Sequence, residues 1–288
     1  MKLIKKVDIL IVGLGLLGGS YAKGLKRLGF KVSAITKEQS SIDYALENGI
    51  IDEGTTQIDP EMIGNADLVV FALYPHIFVD WIEKNQQYFK KGAILTDVTG
   101  VKGCVVDTIQ EMLKPDVEFI AAHPMAGKEV SGVENSDDGI FKEANYIVVP
   151  TEKNTTEAIE LCKSLGEVLG FKQVAVLSVE EHDRMIAFLS QLTHCIAVSL
   201  MCCNDAQGLE KYTGDSFRDL TRIAAINDEM WSELFLSNKD VLLSEMERFK
   251  ATFDELYEKI KEGDREGMRE MMRTSTTRRK RFNKKDKR

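Results

Sequence analysis

Short apolar runs alternate with amphipathic stretches through the first part of the chain. Residues 7–12 are apolar and stop at Gly13, and residues 31–36, 68–73, 93–96, 118–121 and 146–149 share this β-rich character. Residues 16–28 and 38–47 have helical periodicity. Strand and helix units of this length in alternation predict an α/β domain, a mostly parallel sheet covered on both faces. The pattern changes near residue 177. Ser178 stands three residues before Glu181, the spacing at which a serine hydroxyl and a glutamate carboxylate cap a helix reciprocally. From there to about residue 270 the chain has no proline and almost no strand signal, and residues 178–203 and 228–262 predict long helices. The division expected is therefore 1–177 for the α/β domain, 178–272 for an all-α domain and 273–288 for a basic tail. No Gly/Ser linker separates the first two, so close packing between them is expected.

Composition narrows the class. With 288 residues, 43% hydrophobic and 29% charged, the chain has ample core for one large or two moderate soluble domains. The N-terminal lysines and apolar run resemble a signal peptide. Asp8 interrupts that run, and glycines stand where cleavage would be needed, so a first strand is the better reading. No uninterrupted run of 18 or more apolar residues occurs, so neither a spanning helix nor a membrane partner is expected. Cys104, Cys162, Cys195, Cys202 and Cys203 form no C-x-x-C pair and no Cys/His metal spacing. Their odd count suits a reducing cytoplasm and argues against both a disulfide scaffold and a metal site. The net charge is −8. Residues 278–288 carry eight basic and one acidic side chain, which leaves −15 for the remainder. A basic tail can touch nucleic acid or anionic lipid, but a solvated, frayed terminus is the favoured reading. The acidic body argues against nucleic-acid binding as the main task.

Gly13-Leu14-Gly15-Leu16-Leu17-Gly18 is a G-x-G-x-x-G motif between a predicted strand and a predicted helix. Gly13 permits the tight turn, Gly15 lets backbone approach a pyrophosphate, and Gly18 lets the helix close on the sheet. The helix N-terminus then faces the phosphates. In this context the motif predicts a Rossmann-type dinucleotide site, with Leu16, Leu17 and Leu73 as further cofactor contacts. An NAD-selective second strand ends in a carboxylate. Here Thr36 and Lys37 stand at that place, a slight lean to NADP over NAD, with Glu38 adjacent and a plain surface lysine the competing reading.

Four further segments carry chemistry: Thr96–Lys102, His123-Pro-Met-Ala-Gly127, His182-Asp183 with Ser190 and His194, and Asp219–Ala224. His123 follows a predicted strand, so it should sit at a sheet edge, where ligands of open α/β sheets collect. Ser190 and His194 are four apart and share a helix face. Arg222, between Leu220 and Ile223, is expected to be partly buried and to need a carboxylate, either a ligand's or that of Asp219. Taken singly, each of the four histidines is more often structural than catalytic.

The order of these motifs, closed by Met230-Trp231, resembles the prephenate/arogenate dehydrogenase family of tyrosine (aromatic amino acid) biosynthesis over about residues 6–270. The resemblance implies a Rossmann-type domain followed by an all-α dimerisation domain. It also implies an NAD(P)-dependent oxidoreductase that decarboxylates a small-molecule substrate, and a cytoplasmic homodimer formed through the helical domain. Carried over, His123 takes the proton of the substrate's ring hydroxyl, Arg222 grips a carboxylate, and His194 lies near the substrate side chain. Lys102, Glu129, Ser190, Asp219 and Trp231 line or gate the pocket. The family often has a serine where this chain has Gly100. Thr99, one residue earlier, or a water is the candidate substitute. No mutase segment is expected before the first domain and no regulatory domain after the second, so any feedback by tyrosine would act at the active site. Arogenate in place of prephenate is the main alternative, favoured if Asp215 or Glu129 lies near the substrate's amino group. Other two-domain dehydrogenases of the β-hydroxyacid or pyrroline-carboxylate type, or a nucleotide sensor without catalysis, are the remaining rivals. The first lack the His-Pro-Met-Ala-Gly segment, and the second has no need of both His123 and Arg222.

Overall fold

The computed structural model describes residues 7–128 and 130–282, in two compact units that meet in sequence at Lys239 and Asp240. The first unit opens with β1 (Asp8–Val12), α1 (Leu16–Arg27), β2 (Lys31–Ile35), α2 (Gln39–Glu47), β3 (Glu53–Thr55) and α3 (Pro60–Asn65). It continues with β4 (Leu68–Phe71), α4 (Pro75–Asn85), β5 (Ile94–Asp97), α5 (Val106–Met112) and β6 (Glu118–Phe119). These strands form one parallel sheet in the order β3-β2-β1-β4-β5-β6. The order reverses at β1, which puts a crevice at the carboxyl ends of β1 and β4.

The sheet is buried on both faces, and β1 shows why its run is continuously apolar. Ile9 and Ile11 enter one core with Tyr21 and Leu25, and Leu10 and Val12 enter the other with Phe71 and Phe78. Alternate residues serve opposite layers, so Ile9–Val12 are all apolar and the one polar position, Asp8, stands at the half-buried start of the strand.

The expected strand 118–121 is two strands. After β6 the chain leaves the first sheet at Ile120 and enters a second with β7 (Ala121–Pro124). That sheet, β7-β8-β9, adds β8 (Asn145–Val149), antiparallel to β7, then α6 (Thr156–Val168) and β9 (Gln173–Val176), parallel to β8. β3 and β9 gave no strand signal in the sequence. Both are short edge strands, and β3 reads Glu-Gly-Thr. The expected strand 68–73 stops at Phe71, and Ala72 and Leu73 turn over the loop that follows β1.

A continuous helical stretch follows: α7 (Val179–Ile186), a π-helical turn at Ala187–Gln191, and α8 (Leu192–Cys202). The capping box forms as predicted, with Glu181 N–H on the Ser178 hydroxyl at 3.2 Å and Ser178 N–H on the Glu181 carboxylate at 3.0 Å. By length and composition this stretch could cross a bilayer, although it holds no uninterrupted apolar run of 18 residues. Its polar residues His182, Asp183 and Gln191 are buried and hydrogen-bonded within the first unit. α9 (Asp215–Thr221) and α10 (Asp228–Ser237) complete the unit. The expected helix 228–262 breaks at Asn238, whose amide donates to the Asp183 carbonyl and to Gln191.

The second unit is formed by α11 (Lys239–Glu262) and α12 (Arg265–Arg279), joined at Gly263. Asp264 caps α12 by accepting from Gly267 N–H. The basic run is not frayed where it begins: residues 273–279 belong to α12 and Lys280–Phe282 form a 3-10 turn, while the last six residues lie outside the description.

Ser178→Ala removes the cap hydroxyl and should cost about 1 kcal/mol in denaturant unfolding, whereas Ser178→Asp should keep most of that contribution.

Candidate active site

The nucleotide end is built from backbone. Gly13, at φ +94°, donates its N–H to the Ile35 carbonyl at 2.8 Å, and a Cβ there would strike the Ala72 carbonyl and the Leu73 side chain. A Cβ on Gly18 would overlap the Gly13 carbonyl, so the helix can lie this close to the loop only with glycine. Beside Gly15, the N-cap of α1, nothing lies within 4 Å of an added Cβ. The first turn of α1, which begins with the half-buried Leu16 and Leu17, carries no acidic residue. An open cradle of this kind at a helix N-terminus fits the pyrophosphate of a dinucleotide. β2 ends at Ile35, and the Thr36 hydroxyl lies 3.4 Å from Glu38. Lys37 is 90% exposed, with only Glu38 beside it at 3.7 Å.

The chemical end lies on the same edge of the sheet. Val12, Phe71 and Asp97 are register partners across β1, β4 and β5, so Asp97 is two strand spacings, about 10 Å, from the end of β1. Asp97 is fully buried. One carboxylate oxygen accepts from Ala122 N–H at 3.0 Å, and the other accepts from Lys102 Nζ at 2.6 Å, from Thr99 N–H at 3.0 Å and from the Thr99 hydroxyl. Lys102 is 0% exposed and its ammonium also donates to the Ala122 carbonyl at 2.5 Å and to the Thr99 hydroxyl at 3.1 Å. Both backbone groups of Ala122 are thus held by one ion pair, one residue before His123. Lys102 stands behind the catalytic strand, away from any surface a ligand could reach, and Thr99 turns its hydroxyl inward to the same pair. At Gly100 a Cβ would meet Leu234 at an ordinary 3.5 Å.

His123, in edge strand β7, has its Nδ1 2.9 Å from His182 Nε2, and His182 Nδ1 is 2.7 Å from an Asp183 oxygen. The same carboxylate accepts from Lys102 N–H at 2.9 Å and Gly103 N–H at 2.7 Å. A carboxylate only accepts, so His182 carries its proton on Nδ1 and accepts on Nε2. His123 must then carry its proton on Nδ1, which leaves Nε2 with a free lone pair. Burial pushes the His123 pKa well below the usual 6.5, and the neighbouring His182 and Lys102 push it further. Burial also lowers His182, against the opposing pull of Asp183. Both rings are neutral near pH 7, and His123 offers a base.

The sequence pointed to the His182-Asp183 segment but gave neither residue a role, and it gave none to Asp97. A signal was present: Ile186 and Ala187, four residues on, are buried and mark the inward face of α7.

On the helical side, His194 donates from Nδ1 to the Ser190 carbonyl at 2.9 Å, and its ring stacks on Trp231 with centroids 3.7 Å apart. The Ser190 carbonyl also accepts the Thr193 hydroxyl at 2.6 Å; the π turn, which ends at Gln191, widens the ladder there. His76, at the start of α4, gives its backbone N–H and ring Nδ1 to the two oxygens of Glu233 on α10, at 2.9 and 2.8 Å. Arg222 begins a short 3-10 turn after α9 and is exposed, not partly buried as its apolar neighbours suggested; Asp219 is exposed as well. Glu129 lies outside the described residues.

Lys102→Met should leave the Asp97 carboxylate buried without its cation and cost about 3–5 kcal/mol in chemical denaturation. The depressed histidine pKa values add a pH dependence. Their contribution is present above about 6.5, where unfolded histidine is neutral, and is lost as pH falls and the unfolded chain binds more protons. His123→Asn should therefore flatten the fall in stability between about pH 7 and about pH 5.

Two family profiles match this chain: prephenate dehydrogenase, nucleotide-binding domain, over residues 21–175, and prephenate dehydrogenase, dimerization domain, over residues 178–274. The prephenate dehydrogenase of Lactococcus lactis is 30% identical over 264 residues, 89% of this chain and 72% of that protein. The cyclohexadienyl dehydrogenase of Zymomonas mobilis is 30% identical over 258 residues, 86% of each. Among solved structures, prephenate dehydrogenase from A. aeolicus in complex with hydroxyphenyl propionate and NAD+ superposes with a TM-score of 0.89 at 32% identity, covering 98% of this chain and 100% of that one. The chain belongs to the prephenate dehydrogenase family.

Proposed function

We propose that the chain is an NAD(P)-dependent dehydrogenase that converts prephenate to 4-hydroxyphenylpyruvate by oxidative decarboxylation. The observation that carries this reading is the free Nε2 of His123, fixed by the His182–Asp183 chain in β7, whose Ala122 is bonded to Asp97 at the carboxyl end of β5 in the dinucleotide-binding sheet. A nicotinamide dinucleotide held by Gly13, Gly15, Leu16, Leu17, Gly18 and Leu73 supplies the hydride acceptor. His123 Nε2 takes the proton of the ring hydroxyl as that carbon is oxidised. Loss of carbon dioxide then returns an electron pair to the ring, and the phenolate oxygen takes the proton back. Base and substrate need only meet in the right orientation, with a neutral imidazole suited to borrow a proton near neutral pH. Arg222 grips a substrate carboxylate, and its exposure leaves the guanidinium reachable for a bidentate contact. The stacked His194–Trp231 pair, with Ser190 and Asp219, lines the side-chain end. Lys102, Asp97 and Thr99 act behind the site by holding the strand that carries His123.

Prephenate is favoured over arogenate by the relatives named prephenate dehydrogenase, at 30% and 32% identity. Asp215, a candidate reader of an ammonium group, is exposed and paired with Arg218 at 2.5 Å. Lys37 favours NADP slightly, because its exposed ammonium, beside Glu38 at 3.7 Å, can meet a 2′-phosphate and no acidic side chain ends β2 itself. The functional division falls near residue 177, and the working form is a cytoplasmic homodimer. Exposed Phe188, Leu189, Phe217 and Leu236 in the first unit, and separately Phe253, Tyr257 and Ile260 along α11 in the second, leave apolar surface on each unit for a partner to cover.

Reduction of cofactor on adding prephenate, with NAD and NADP assayed separately, tests the reaction; reduction with arogenate alone would reverse the substrate assignment. His123→Asn should lower kcat by about 10²–10⁴-fold while binding of both ligands stays within a few-fold. Arg222→Ala should chiefly raise KM for the substrate. Normal turnover by the His123 variant would remove the basis of the mechanism.

A further inference from the structure

His123 lies in a poor place to hold a positive charge. It is half-buried, its surroundings disfavour a cation, and the nearest cation, Lys102, stands behind its strand. The carboxylate nearest that cation, Asp97, is already committed to Lys102 and Ala122. The other carboxylate, Asp183, touches His182 at 2.7 Å and reaches His123 only through that ring. Lys102 and Gly103 give Asp183 backbone N–H groups, not a formal charge, so its negative charge remains available. The thiol of Cys104, which also senses Asp183, is pushed by burial up to about 11 and stays neutral.

We propose that His182 is a proton relay: as His123 Nε2 takes the substrate's hydroxyl proton, His123 Nδ1 passes its own proton to His182 Nε2, and the charge comes to rest beside Asp183. This rests on the reading of His123 as the base. The O–H bond of the substrate breaks and an N–H bond forms at His123 Nε2. The Nδ1–H bond breaks and an N–H bond forms at His182 Nε2. His123 ends neutral, with its proton now on the other nitrogen, and His182 ends as a cation paired with a carboxylate. Both transfers reverse when decarboxylation returns an electron pair to the ring oxygen. No proton has to reach bulk water, which agrees with the complete burial of His182. A purely orienting hydrogen bond would need only an acceptor at the Nε2 position, whereas a relay needs a group that can be protonated.

His182→Gln separates these roles, since an amide oxygen can accept from His123 Nδ1–H but cannot take up its proton. The relay predicts a kcat lower by about tenfold or more with KM for substrate and cofactor nearly unchanged. It also predicts that a bound nitro-substituted hydroxyphenyl propionate, followed by its phenolate colour without cofactor, ionises about one pH unit or more higher in the variant than in the wild type. Wild-type kcat and an unshifted phenol titration in the variant would overturn the relay. Should the variant not fold, single-turnover rates of the wild type in H2O/D2O mixtures decide: a curved dependence marks two protons in motion, and a straight or flat one overturns the proposal. An inactive His123→Asn beside a fully active His182→Gln would remove the relay alone, while an active His123→Asn would remove the base itself.

Discussion

One carboxylate joins the parts of the first unit that must agree in position. Asp183 comes from the first turns of α7, yet it accepts from two backbone N–H groups of the loop after β5 and from the ring of His182. The loop it holds carries Lys102, which fixes Ala122, and the ring it orients fixes His123. The start of the helical region is therefore hydrogen-bonded directly to the His123 side chain and, through the Lys102 loop, tied to the backbone of β7. Three charge-assisted bonds to a carboxylate with 9% of its side chain exposed are each stronger than a neutral contact.

This constraint explains a lysine with no surface. A buried ion pair is weak evidence of stabilisation, because desolvation consumes much of its attraction. Here its value lies in geometry: the Lys102 ammonium bonds to a carboxylate, a hydroxyl and a carbonyl, all of which converge on the two residues before Pro124. Replacing it with a hydrocarbon of equal size could pack as well and would still release the strand. The same pair accounts for Gly100. Thr99 donates its hydroxyl to Asp97 and accepts from Lys102, so that hydroxyl is turned to the ion pair and not towards His123. In this chain orientation of His123 comes from His182.

How much of this the sequence disclosed depended on whether the cause was local. The Gly13–Gly18 turn, the burial of β1 on both faces and the Ser178–Glu181 cap are written in adjacent residues, and each was legible. The break at Asn238 was not, because it depends on partners 47 and 55 residues away. The splitting of residues 118–121 into β6 and β7 depends on Asp97 capturing Ala122 N–H from another strand. Arg222 was misjudged because apolar neighbours suggested that it was covered, whereas exposure is set by tertiary contacts that this pattern does not record. The complete burial of Lys102 was not legible either, because it depends on Asp97 and Ala122. His182 and Asp183 were visible as residues, and only the fold shows that their order, ring then carboxylate, reads outward from His123.

That order also bears on why the base can be partly buried. A general base exposed to water can exchange its proton with solvent at each turnover, and its pKa stays near the free value. In the proposed reaction the proton is borrowed from an oxygen that later needs it, so exchange brings no benefit and burial prevents its loss. Burial alone would make the base too weak, since desolvation disfavours the cation it must become. A second imidazole ending in a carboxylate removes that conflict by moving the charge about one ring away, to where a counter-ion is fixed. The depressed pKa of His123 and the presence of His182–Asp183 are then two parts of one arrangement, a base that is neutral at rest and has somewhere to put the charge when it acts.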